Sequence, residues 1–506
     1  TLMRSSAASD VYKRQIIKRS STLKSFHNMK KIISLVFMFI SCIGIYAQQI
    51  MDATAAYKKA NDLLERLTIE EKALMVRGYN KFFIKGFEEK GILPIYLSDA
   101  TQGVNIRNNL PDPNVVKQLE RSTAFPSPIL LASTFSPDLS YQYAKAIGEE
   151  CRAGGIEVLL GPGLNIYRQS QCARNFEYFG EDPYLVSQMV SQYVTGLQST
   201  GTAACLKHFY GNNTEFYRKR SNSIISERAM NEIYLPGFKA GIDAGAMSVM
   251  TSYNQIDGEW AGQSSYVIKN ILREKLGFKW LVMSDWNSVW NLEKVIKSGQ
   301  NLEMPGSYNF GESVLGLYHQ KKITEKDLDD MVRPILATCI AMGFYDRSKY
   351  DLSLLDKYQE HEKIARQVAE EGIVLLKNRD NILPLDPTKN RKILLTGKFI
   401  YEIPRGYGAA EVIGYNNVSL IEALQRAFGR TVYYIEKPTV ADIKEADIVL
   451  LSMGTRDKEA IERPFALPKE DESLMRYVTK NNPNTIAILN TCLLYTSDAA
   501  DDRISV

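Results

Sequence analysis

The sequence predicts an α/β protein that begins with a (β/α) TIM-like barrel and continues into a second α/β unit. Short apolar runs alternate with helical stretches up to about residue 300, and such alternation over about 250 residues is typical of a barrel. The runs end in reactive side chains, which is where a barrel places an active site. The alternation then resumes after a linker. A doubly wound sheet is the second possibility.

The barrel is predicted to occupy residues 50–345. It opens with two helices separated by Thr68, a residue type that commonly caps a helix N-terminus. Four short apolar runs then read as strands: 158–160, 203–206, 248–251 and 281–283. The polar and aromatic residues that follow these strands are Asn165, Arg168, Lys207, His208, Tyr253, Asn254, Asp285 and Trp286.

A linker at residues 346–360 leads into the second unit, which is predicted to span residues 361–491. Residues 362–371 have the pattern of a helix, and the apolar run 373–376 follows them. Strand-like runs come next at 393–395, 448–451 and 485–489. Alternating strands and helices again indicate an α/β arrangement.

The two ends of the chain are expected to be foreign to the natural protein. Residues 5–15 and 492–502 look unrelated as peptides, yet one DNA duplex can encode the first on one strand and the second, frame-shifted, on its complement. This relation is typical of a sequencing adapter read at both ends of a fragment, and such segments are set aside before fold reasoning. We therefore expect residues 1–28 and 492–506 to be adapter-derived and the second unit to be incomplete. Two natural tails are the alternative.

Residues 29–47 have the layout of a secretory signal peptide. Met29 precedes two lysines, an apolar run covers 32–45, and Ala47 offers a small residue for cleavage. A membrane anchor is one alternative, but a span needs about 20 apolar residues. A lipoprotein cysteine at Cys42 is another, although apolar residues continue beyond it. We expect a secreted or periplasmic protein with no membrane span after signal removal.

The composition argues against several classes of function. The formal net charge is +4, from 62 basic and 58 acidic residues scattered along the chain, so no nucleic-acid partner is expected. The chain has six cysteines and four histidines without a CxxC pair or a His-x-x-x-His pattern, so neither a metal nor another cofactor is expected. Four cysteines are predicted to be buried free thiols: Cys151, Cys172, Cys205 and Cys339.

Ser284-Asp285-Trp286 follows an apolar strand directly. A carboxylate at this point would be held rigidly at the mouth of a cavity, beside an indole that can stack on a sugar face. The alternative is a helix N-cap, which is the commoner role of an Asp after a strand.

Cationic side chains lie in two other segments. Lys207-His208-Phe209 closes a strand, and such side chains can recognise hydroxyl groups and lower the pKa of a nearby carboxylate. Arg174 lies in a loop rich in charged residues, and its fork of donors can hold two neighbouring hydroxyls. The alternatives are structural: an exposed Lys, a core His and a salt-bridged loop.

These segments, in their order and spacing, resemble glycoside hydrolase family 3, and the resemblance covers about residues 55–491. The barrel segments that carry it are Gly161-Pro162-Gly163-Leu164-Asn165-Ile166, Arg174-Asn175-Phe176-Glu177, Gly180-Glu181-Asp182-Pro183, Lys207-His208-Phe209, Asn213-Thr214-Glu215-Phe216-Tyr217-Arg218, Glu232-Ile233-Tyr234-Leu235-Pro236, Met250-Thr251-Ser252-Tyr253-Asn254, Ser284-Asp285-Trp286 and Leu302-Glu303-Met304-Pro305-Gly306. The second unit adds Gly372-Ile373-Val374-Leu375-Leu376-Lys377-Asn378 and, more weakly, Asn482-Pro483-Asn484-Thr485.

The resemblance implies a barrel followed by an α/β sandwich, here truncated, with the active site between the two domains. It implies that Asp285 is the nucleophile that attacks the anomeric carbon. It also implies that the second domain supplies the acid/base from a Glu-Gly-x-Asp-Arg-like stretch, which here is Glu459-Ala460-Ile461-Glu462-Arg463. Glu459 is the candidate, although Ala460 and Glu462 depart from the pattern. Glu462 is the second choice, and a surface charge run is the alternative.

Two carboxylates in different environments suit this chemistry. The nucleophile must be ionised, so we expect cationic neighbours such as Lys207, His208 and Arg174 to lower its pKa. The acid must hold a proton, which partial burial and the nearby negative charge favour. A separation of about 5–5.5 Å between the two carboxyl groups predicts retention of configuration. Catalysis would then also depend on how the two domains dock.

The resemblance further implies a sugar-binding set, formed by Asp99, Arg107, Arg174, Lys207, His208, Arg218, Tyr253 and Trp286. Departures from the family pattern leave the sugar contacts open. Asp99 precedes Ala100-Thr101-Gln102-Gly103 where Gly-Pro is common, and Asn105 occupies the usual Arg position, with Arg107 as a possible stand-in. The loop Gly406-Tyr407-Gly408-Ala409 lacks the Ser often found there.

The implied function is a retaining, exo-acting β-glycosidase that hydrolyses terminal non-reducing β-D-glucosyl residues of an oligosaccharide or β-glucoside. Asp99 favours a glucosidase over a β-xylosidase, since xylosidase-like members tend to carry Glu there. Tyr210-Gly211-Asn212-Asn213 lacks the His of the N-acetylglucosaminidases. The remaining alternative is a catalytically inactive sugar-binding fragment, because an incomplete sheet with an unpaired edge predicts poor stability or activity.

Overall fold

The computed structural model describes residues 50–106, 119–306 and 308–491. The expected adapter-derived ends and the expected signal peptide lie outside these residues and stay predictions. Within the described ranges, no helix is both long enough and apolar enough to cross a membrane.

Helices and strands alternate along the chain. The helices are α1 Ala53–Leu64, α2 Ile69–Met75, α3 Pro128–Ala132, α4 Pro137–Ala153, α5 Pro183–Gln198, α6 Glu227–Ala229, α7 Leu235–Asp243, α8 Leu292–Ser298, α9 Tyr308–His319, α10 Glu325–Ala341, α11 Tyr358–Gly372, α12 Leu420–Phe428, α13 Val440–Glu445 and α14 Lys469–Asn481. The strands are β1 Gly78–Tyr79, β2 Phe83–Ile84, β3 Ile95–Asp99, β4 Val158–Leu160, β5 Ala203–Phe209, β6 Asn222–Ser223, β7 Ser248–Thr251, β8 Gln255–Ile256, β9 Glu259–Trp260, β10 Leu281–Met283, β11 Ile393–Gly397, β12 Val432–Tyr434, β13 Ile448–Gly454 and β14 Thr485–Asn490. Met230–Tyr234 and Tyr266–Lys275 are π-helical.

Seven strands form one curled sheet in the order β1-β2-β3-β4-β5-β7-β10. From β3 to β10 each strand is parallel to its neighbour. Isolated bridges from Met283 to Leu302 and from Glu303 to Arg77, the residue before β1, continue the pairing from β10 back towards the first strand. A doubly wound sheet reverses its strand order at a switch point, whereas this order runs in one direction. The prediction of a TIM-like barrel is therefore confirmed.

The start of the barrel differs from a regular β/α repeat. β1 and β2 form an antiparallel hairpin, and β2 also pairs antiparallel with β3. The hairpin turn contains Asn80 and Lys81, whose φ angles are 48° and 65°, and a left-handed conformation lets the chain reverse within a few residues. Gly78 is needed because a Cβ there would lie 2.6 Å from the carbonyl carbon of Pro305.

Side-chain caps fix several helix starts. Thr68 and Glu71 form a capping box at α2, as the sequence predicts, and Thr324 and Asp327 form another at α10. Such caps pair N–H groups that the helix itself leaves unpaired. The helices pack their apolar faces around the barrel strands in two large clusters. The prediction of buried free thiols is confirmed for four cysteines: Cys151, Cys172, Cys205 and Cys339.

The second domain contains a four-stranded parallel sheet in the order β12-β11-β13-β14. Ile393, Leu394 and Leu395 of β11 are buried, with apolar clusters on both faces of the sheet. The apolar run from Ile373 to Leu376 is not part of a strand, and its side chains are 48–70% exposed. This run and β14 line a cavity of about 2430 Å³.

Helix α11 anchors the second domain to the barrel through a buried polar cluster. His361 lies between two carboxylates of α4, with Nε2 3.0 Å from Glu149 Oε2 and Nδ1 3.0 Å from Glu150 Oε1. Lys357 donates to Glu149 at 2.7 Å. Burial opposes a charge on His361, but the two carboxylates outweigh it and raise the pKa of His361 to about 9. His361 is therefore protonated at neutral pH.

This anchor makes stability depend on pH. The folded pKa of His361 lies above the unfolded value, so its contribution is fully present below about pH 6.5 and is lost as the pH rises through about 9. We expect the free energy of unfolding to fall by roughly 2 kcal/mol between pH 7 and 9.5 through this group. Urea unfolding across this range measures the loss. A flatter profile is expected for His361→Gln, and identical profiles for the two proteins would contradict the assignment.

Candidate active site

The predicted site residues gather at the carboxyl end of the barrel strands. Asp99 is the last residue of β3, Lys207 and His208 lie in β5, and Tyr253 and Asp285 follow β7 and β10. All five are buried, with exposed fractions between 1% and 7%. Parallel strands share one edge for their carboxyl ends, so the predicted clustering follows from the strand order itself.

Asp285 is a buried carboxylate whose two oxygens differ in their hydrogen bonding. The backbone N–H of Trp286 donates to Oδ1 at 2.7 Å. Oδ2 is buried without a hydrogen-bond partner among the described residues and lies 3.7 Å from His208 Nε2. Burial raises the pKa of Asp285 to about 6, against the opposing effect of Arg174 and Arg218. A half-paired carboxylate of this kind is poised to contact a ligand.

The imidazole of His208 is neutral, which corrects the expectation that it is a cationic neighbour of Asp285. Burial, together with the positive charges of Arg174 and Lys207, lowers the pKa of His208 well below its usual value. Asn165 orients the ring, since its Oδ1 lies 3.0 Å from His208 Nδ1. A sequence motif does not reveal this mutual effect, in which cations brought together lower one another's pKa.

Glu459 reaches the site from the loop between β13 and α14. Its Oε1 accepts from Arg218 Nη1 at 2.8 Å and lies 3.8 Å from Arg174 Nη1. Its Oε2 accepts from the backbone N–H of Ala409 at 2.9 Å. Gly408 allows this approach, since a Cβ there would lie 2.7 Å from Glu459 Cβ. Asp285 and Glu459 therefore share Arg174 and Arg218 as charged neighbours, and their predicted roles as nucleophile and acid/base stay predictions.

The charge state of Glu459 differs from the expectation for a general acid. Burial alone would raise its pKa, but Arg174 and Arg218 outweigh burial and hold the pKa at about 2. The pKa of Asp285 is thus raised and that of Glu459 is lowered, which is the opposite of the prediction. The reason is that the arginines contact Glu459 more closely than Asp285. In the ligand-free protein Glu459 is ionised at neutral pH.

Arg174 is fully buried and has spare hydrogen-bonding capacity. It forms an ion pair with Glu177, yet its Nε and Nη1 have no hydrogen-bond partner among the described residues. Unpaired buried donors are costly. These donors and Asp285 Oδ2 are complementary to the hydroxyl groups of a bound sugar.

The other predicted site residues fall into three groups. Tyr253 is covered by Arg218, whose Cζ lies 4.0 Å from the ring centroid, and Trp286 packs on Phe82 with ring centroids 5.1 Å apart. Asp99 and Lys207 are buried at the strand ends. Arg107 lies outside the described residues, so its predicted role as a stand-in stays a prediction.

Two departures from the family pattern contact each other. Asn105, at the usual Arg position, donates from Nδ2 to the backbone carbonyl oxygen of Ala409 at 3.3 Å. The Ala409 N–H in turn holds Glu459. Asn105 therefore supports the loop that holds Glu459, which is a barrel-to-sandwich contact that the motif alone does not reveal.

Glu462, the second choice for the acid/base, is hydrogen-bonded to the barrel loop at residues 214–216. Its Oε1 accepts from the backbone N–H of Glu215 at 2.8 Å and of Phe216 at 3.0 Å, and from the hydroxyl of Thr214. Glu215 in turn accepts from the Ala460 N–H at 2.7 Å. The family motif that contains Glu215 does not by itself assign this residue a role, and the available signal in the sequence is a Glu three residues before Arg218.

Ala100 and Ala460 replace glycines that are common in the family pattern, and both adopt positive φ. The φ angle is 107° for Ala100 and 65° for Ala460. L-residues with a Cβ are disfavoured there by about 1–2 kcal/mol. The chain therefore keeps the backbone shape of glycine at both positions and carries the strain of a methyl group.

The comparisons with known proteins agree with the order of a barrel followed by an α/β sandwich domain. The profile described as the glycosyl hydrolase family 3 N terminal domain matches residues 114–336, and that of the family's C-terminal domain matches residues 373–505. The structure of β-glucosidase 3B from Thermotoga neapolitana in complex with glucose is 30% identical, with a TM-score of 0.78, and the match covers 86% of this chain and 69% of that one. The chain belongs to glycosyl hydrolase family 3.

Two curated relatives illustrate the range of named activities. Thermostable β-glucosidase B from Acetivibrio thermocellus is 31% identical over 84% of this chain and 59% of its own length. An exo-α-(1→6)-L-arabinopyranosidase from Bifidobacterium breve is 33% identical, with the same two coverages of 84% and 59%. The chain thus spans less than two thirds of the length of either relative.

Relief of the backbone strain is testable at the two alanines. We expect Ala100→Gly and Ala460→Gly each to raise the free energy of unfolding by about 0.5–1 kcal/mol, because glycine adopts positive φ without a steric penalty. Chemical denaturation measures the change. The control is Ala144→Gly inside α4, which should lower stability by about 1 kcal/mol. Destabilisation by all three substitutions would contradict the interpretation.

Proposed function

We propose that the protein is a retaining, exo-acting β-glycosidase that removes terminal non-reducing β-D-glucosyl residues by double displacement. The observation that carries the proposal is a buried Asp285 Oδ2 that has no hydrogen bond within the described part of the chain and is electrostatically coupled to Arg174, Arg218 and Glu459. Glu459 is bonded to Arg218 of the barrel and to Ala409 of the second domain. From the signal-peptide layout we also propose that it acts as a secreted or periplasmic enzyme.

In the first step, Asp285 Oδ2 forms a bond to the anomeric carbon while the bond from that carbon to the leaving oxygen breaks. Glu459 gives its proton to the leaving oxygen. In the second step Glu459 takes a proton from a water molecule, the water oxygen bonds to the anomeric carbon, and the bond to Asp285 breaks. Both carboxylates return to their starting state, as a two-carboxylate retaining mechanism requires.

The ionised state of free Glu459 means that substrate binding must accompany uptake of a proton. The arginine contacts hold the pKa of Glu459 at about 2, and sugar hydroxyls that engage Arg174 and Arg218 would weaken these contacts. A weaker ion pair raises the pKa of a carboxylate. The substrate therefore helps to create the acid that cleaves it.

The glucosyl preference is supported by Asp99 at the strand end and by the names of the relatives. The second candidate is an α-L-arabinopyranosidase, since a relative of equal coverage carries that name. A β-xylosidase is the third. The three sugars differ at the hydroxymethyl group or in hydroxyl orientation, so their discrimination depends on the residues around Asp99.

A mechanism-based inhibitor tests the proposal most directly. We expect an activated 2-deoxy-2-fluoro-β-glucoside to inactivate the protein and to label the peptide that contains Asp285, because the fluorine slows both steps and the activated leaving group restores only the formation of the covalent intermediate. Peptide mapping by mass spectrometry locates the label. Asp285→Asn is the control and should take up no label.

Label on another carboxylate would contradict the assigned nucleophile. Parallel assays with aryl β-glucoside, β-xyloside and α-L-arabinopyranoside address the sugar. Fastest turnover of the xyloside or of the arabinopyranoside would replace the glucosidase proposal with the corresponding activity.

The raised pKa of Asp285 predicts the acid limb of the pH profile. Since only the ionised carboxylate can attack, kcat/KM should fall about tenfold per pH unit below about pH 6. The negative charge of Glu459 contributes to this high pKa, so Glu459→Gln should move the limb to lower pH. Both profiles are measured with 2,4-dinitrophenyl β-glucoside, whose leaving group needs no proton. An acid limb below pH 4.5 in the unsubstituted protein would refute the prediction.

A further inference from the structure

Two glutamates, one from each domain, accept hydrogen bonds from a loop of the other domain. Glu215 of the barrel loop after β5 accepts from the backbone N–H of Ala460 at 2.7 Å. Glu462 of the second domain accepts from the backbone N–H of Glu215 at 2.8 Å and of Phe216 at 3.0 Å. We call Glu215 and Glu462 the carboxylate clasp.

Glu215 of the clasp is buried and Glu462 is half-buried. Glu215 is 3% exposed, and each of its oxygens has a partner, since Oε1 accepts from Asn212 Nδ2 at 3.2 Å and Oε2 also accepts from Arg218 Nη1 at 2.8 Å. The neighbouring Arg463 adds a backbone bond from its N–H to the carbonyl oxygen of Gln171 at 3.0 Å. Charged acceptors facing several N–H donors make strong, directional contacts.

The clasp holds Glu459 from two sides. Ala460, bonded to Glu215, is the next residue in the chain, so the bond fixes the backbone that carries Glu459. Arg218 Nη1 lies 2.8 Å from Glu215 Oε2 and 2.8 Å from Glu459 Oε1. Glu215 thus sets the position of Glu459 and also shares the cation that holds its charge.

We propose that Glu215 and Glu462 are positioning residues that hold Glu459 in place to protonate the leaving oxygen. The inference rests on the proposed role of Glu459 as the acid/base. Glu215 competes for Arg218, which lets Glu459 release the cation and take up a proton when substrate binds. Glu462 fixes the position of the loop that carries Glu215 relative to the loop that carries Glu459.

A comparison of leaving groups tests the inference in the full chain. Protonation matters for methyl β-glucoside, whose leaving group is poor, and little for 2,4-dinitrophenyl β-glucoside. General acid catalysis contributes typically 10²–10⁴-fold. We expect Glu215→Gln and Glu462→Gln to lower kcat/KM for the methyl glucoside by about 10–100-fold and for the dinitrophenyl glucoside by less than about threefold.

Two reference variants distinguish a failure of this inference from a failure of the proposed function. Glu459→Gln should also lower kcat/KM for the methyl glucoside more than for the dinitrophenyl glucoside, and by a larger factor than the clasp variants do. Glu232 is an exposed residue paired with Arg228, and Glu232→Gln should change neither rate. If Glu459→Gln shows no such difference between the substrates, the proposed acid/base is wrong. If it shows the difference and the clasp variants do not, the clasp inference is wrong.

A purely structural role would give a different signature. Loss of folded protein lowers the rates for both substrates by the same factor, so equal losses in a clasp variant would overturn the inference. Thermal melting of each variant accompanies the assays. Glu215→Asp keeps the charge, and partial recovery of methyl glucoside turnover relative to Glu215→Gln is expected.

Discussion

The contact on which the site depends is the guanidinium of Arg218 between Glu215 of the barrel and Glu459 of the second domain, at 2.8 Å from each. The barrel places Asp285 at a strand end, and the second domain supplies Glu459 to the same charged cluster. Arg218 joins the two domains through its ion pairs with Glu215 and Glu459. The buried triad of His361, Glu149 and Glu150 fixes the other end of the domain contact.

The pKa values of Asp285 and Glu459 are shifted in opposite directions. Glu459 is held ionised by two arginines, and Asp285 is the carboxylate whose pKa burial raises. Desolvation and ion pairing act on both groups, and proximity to the cations decides the outcome. In the proposed mechanism, a ligand that pairs with Arg174 and Arg218 raises the pKa of Glu459, which would couple substrate recognition to proton uptake.

Much of the fold could be predicted from sequence. The strands ending near Lys207 and Asp285 are short apolar runs followed by polar residues, and a parallel sheet necessarily brings such ends together. The domain contacts could not be predicted in the same way. Glu215 and Asn105 read as ordinary polar loop residues, and only the folded chain shows that each supports the loop of Glu459. The predicted directions of the pKa shifts of Asp285 and Glu459 were also wrong, because they depend on distances to the arginines that a sequence motif does not contain.

The central claim is that Glu215 acts on the reaction through Glu459, and a double-mutant cycle measures this coupling. The kcat/KM for methyl β-glucoside is determined for Glu215→Gln, for Glu459→Gln and for the double variant. Residues that act as a unit are non-additive, so the account predicts that Glu215→Gln adds less than about a twofold loss once Glu459 is replaced. Full additivity of the two losses would contradict it.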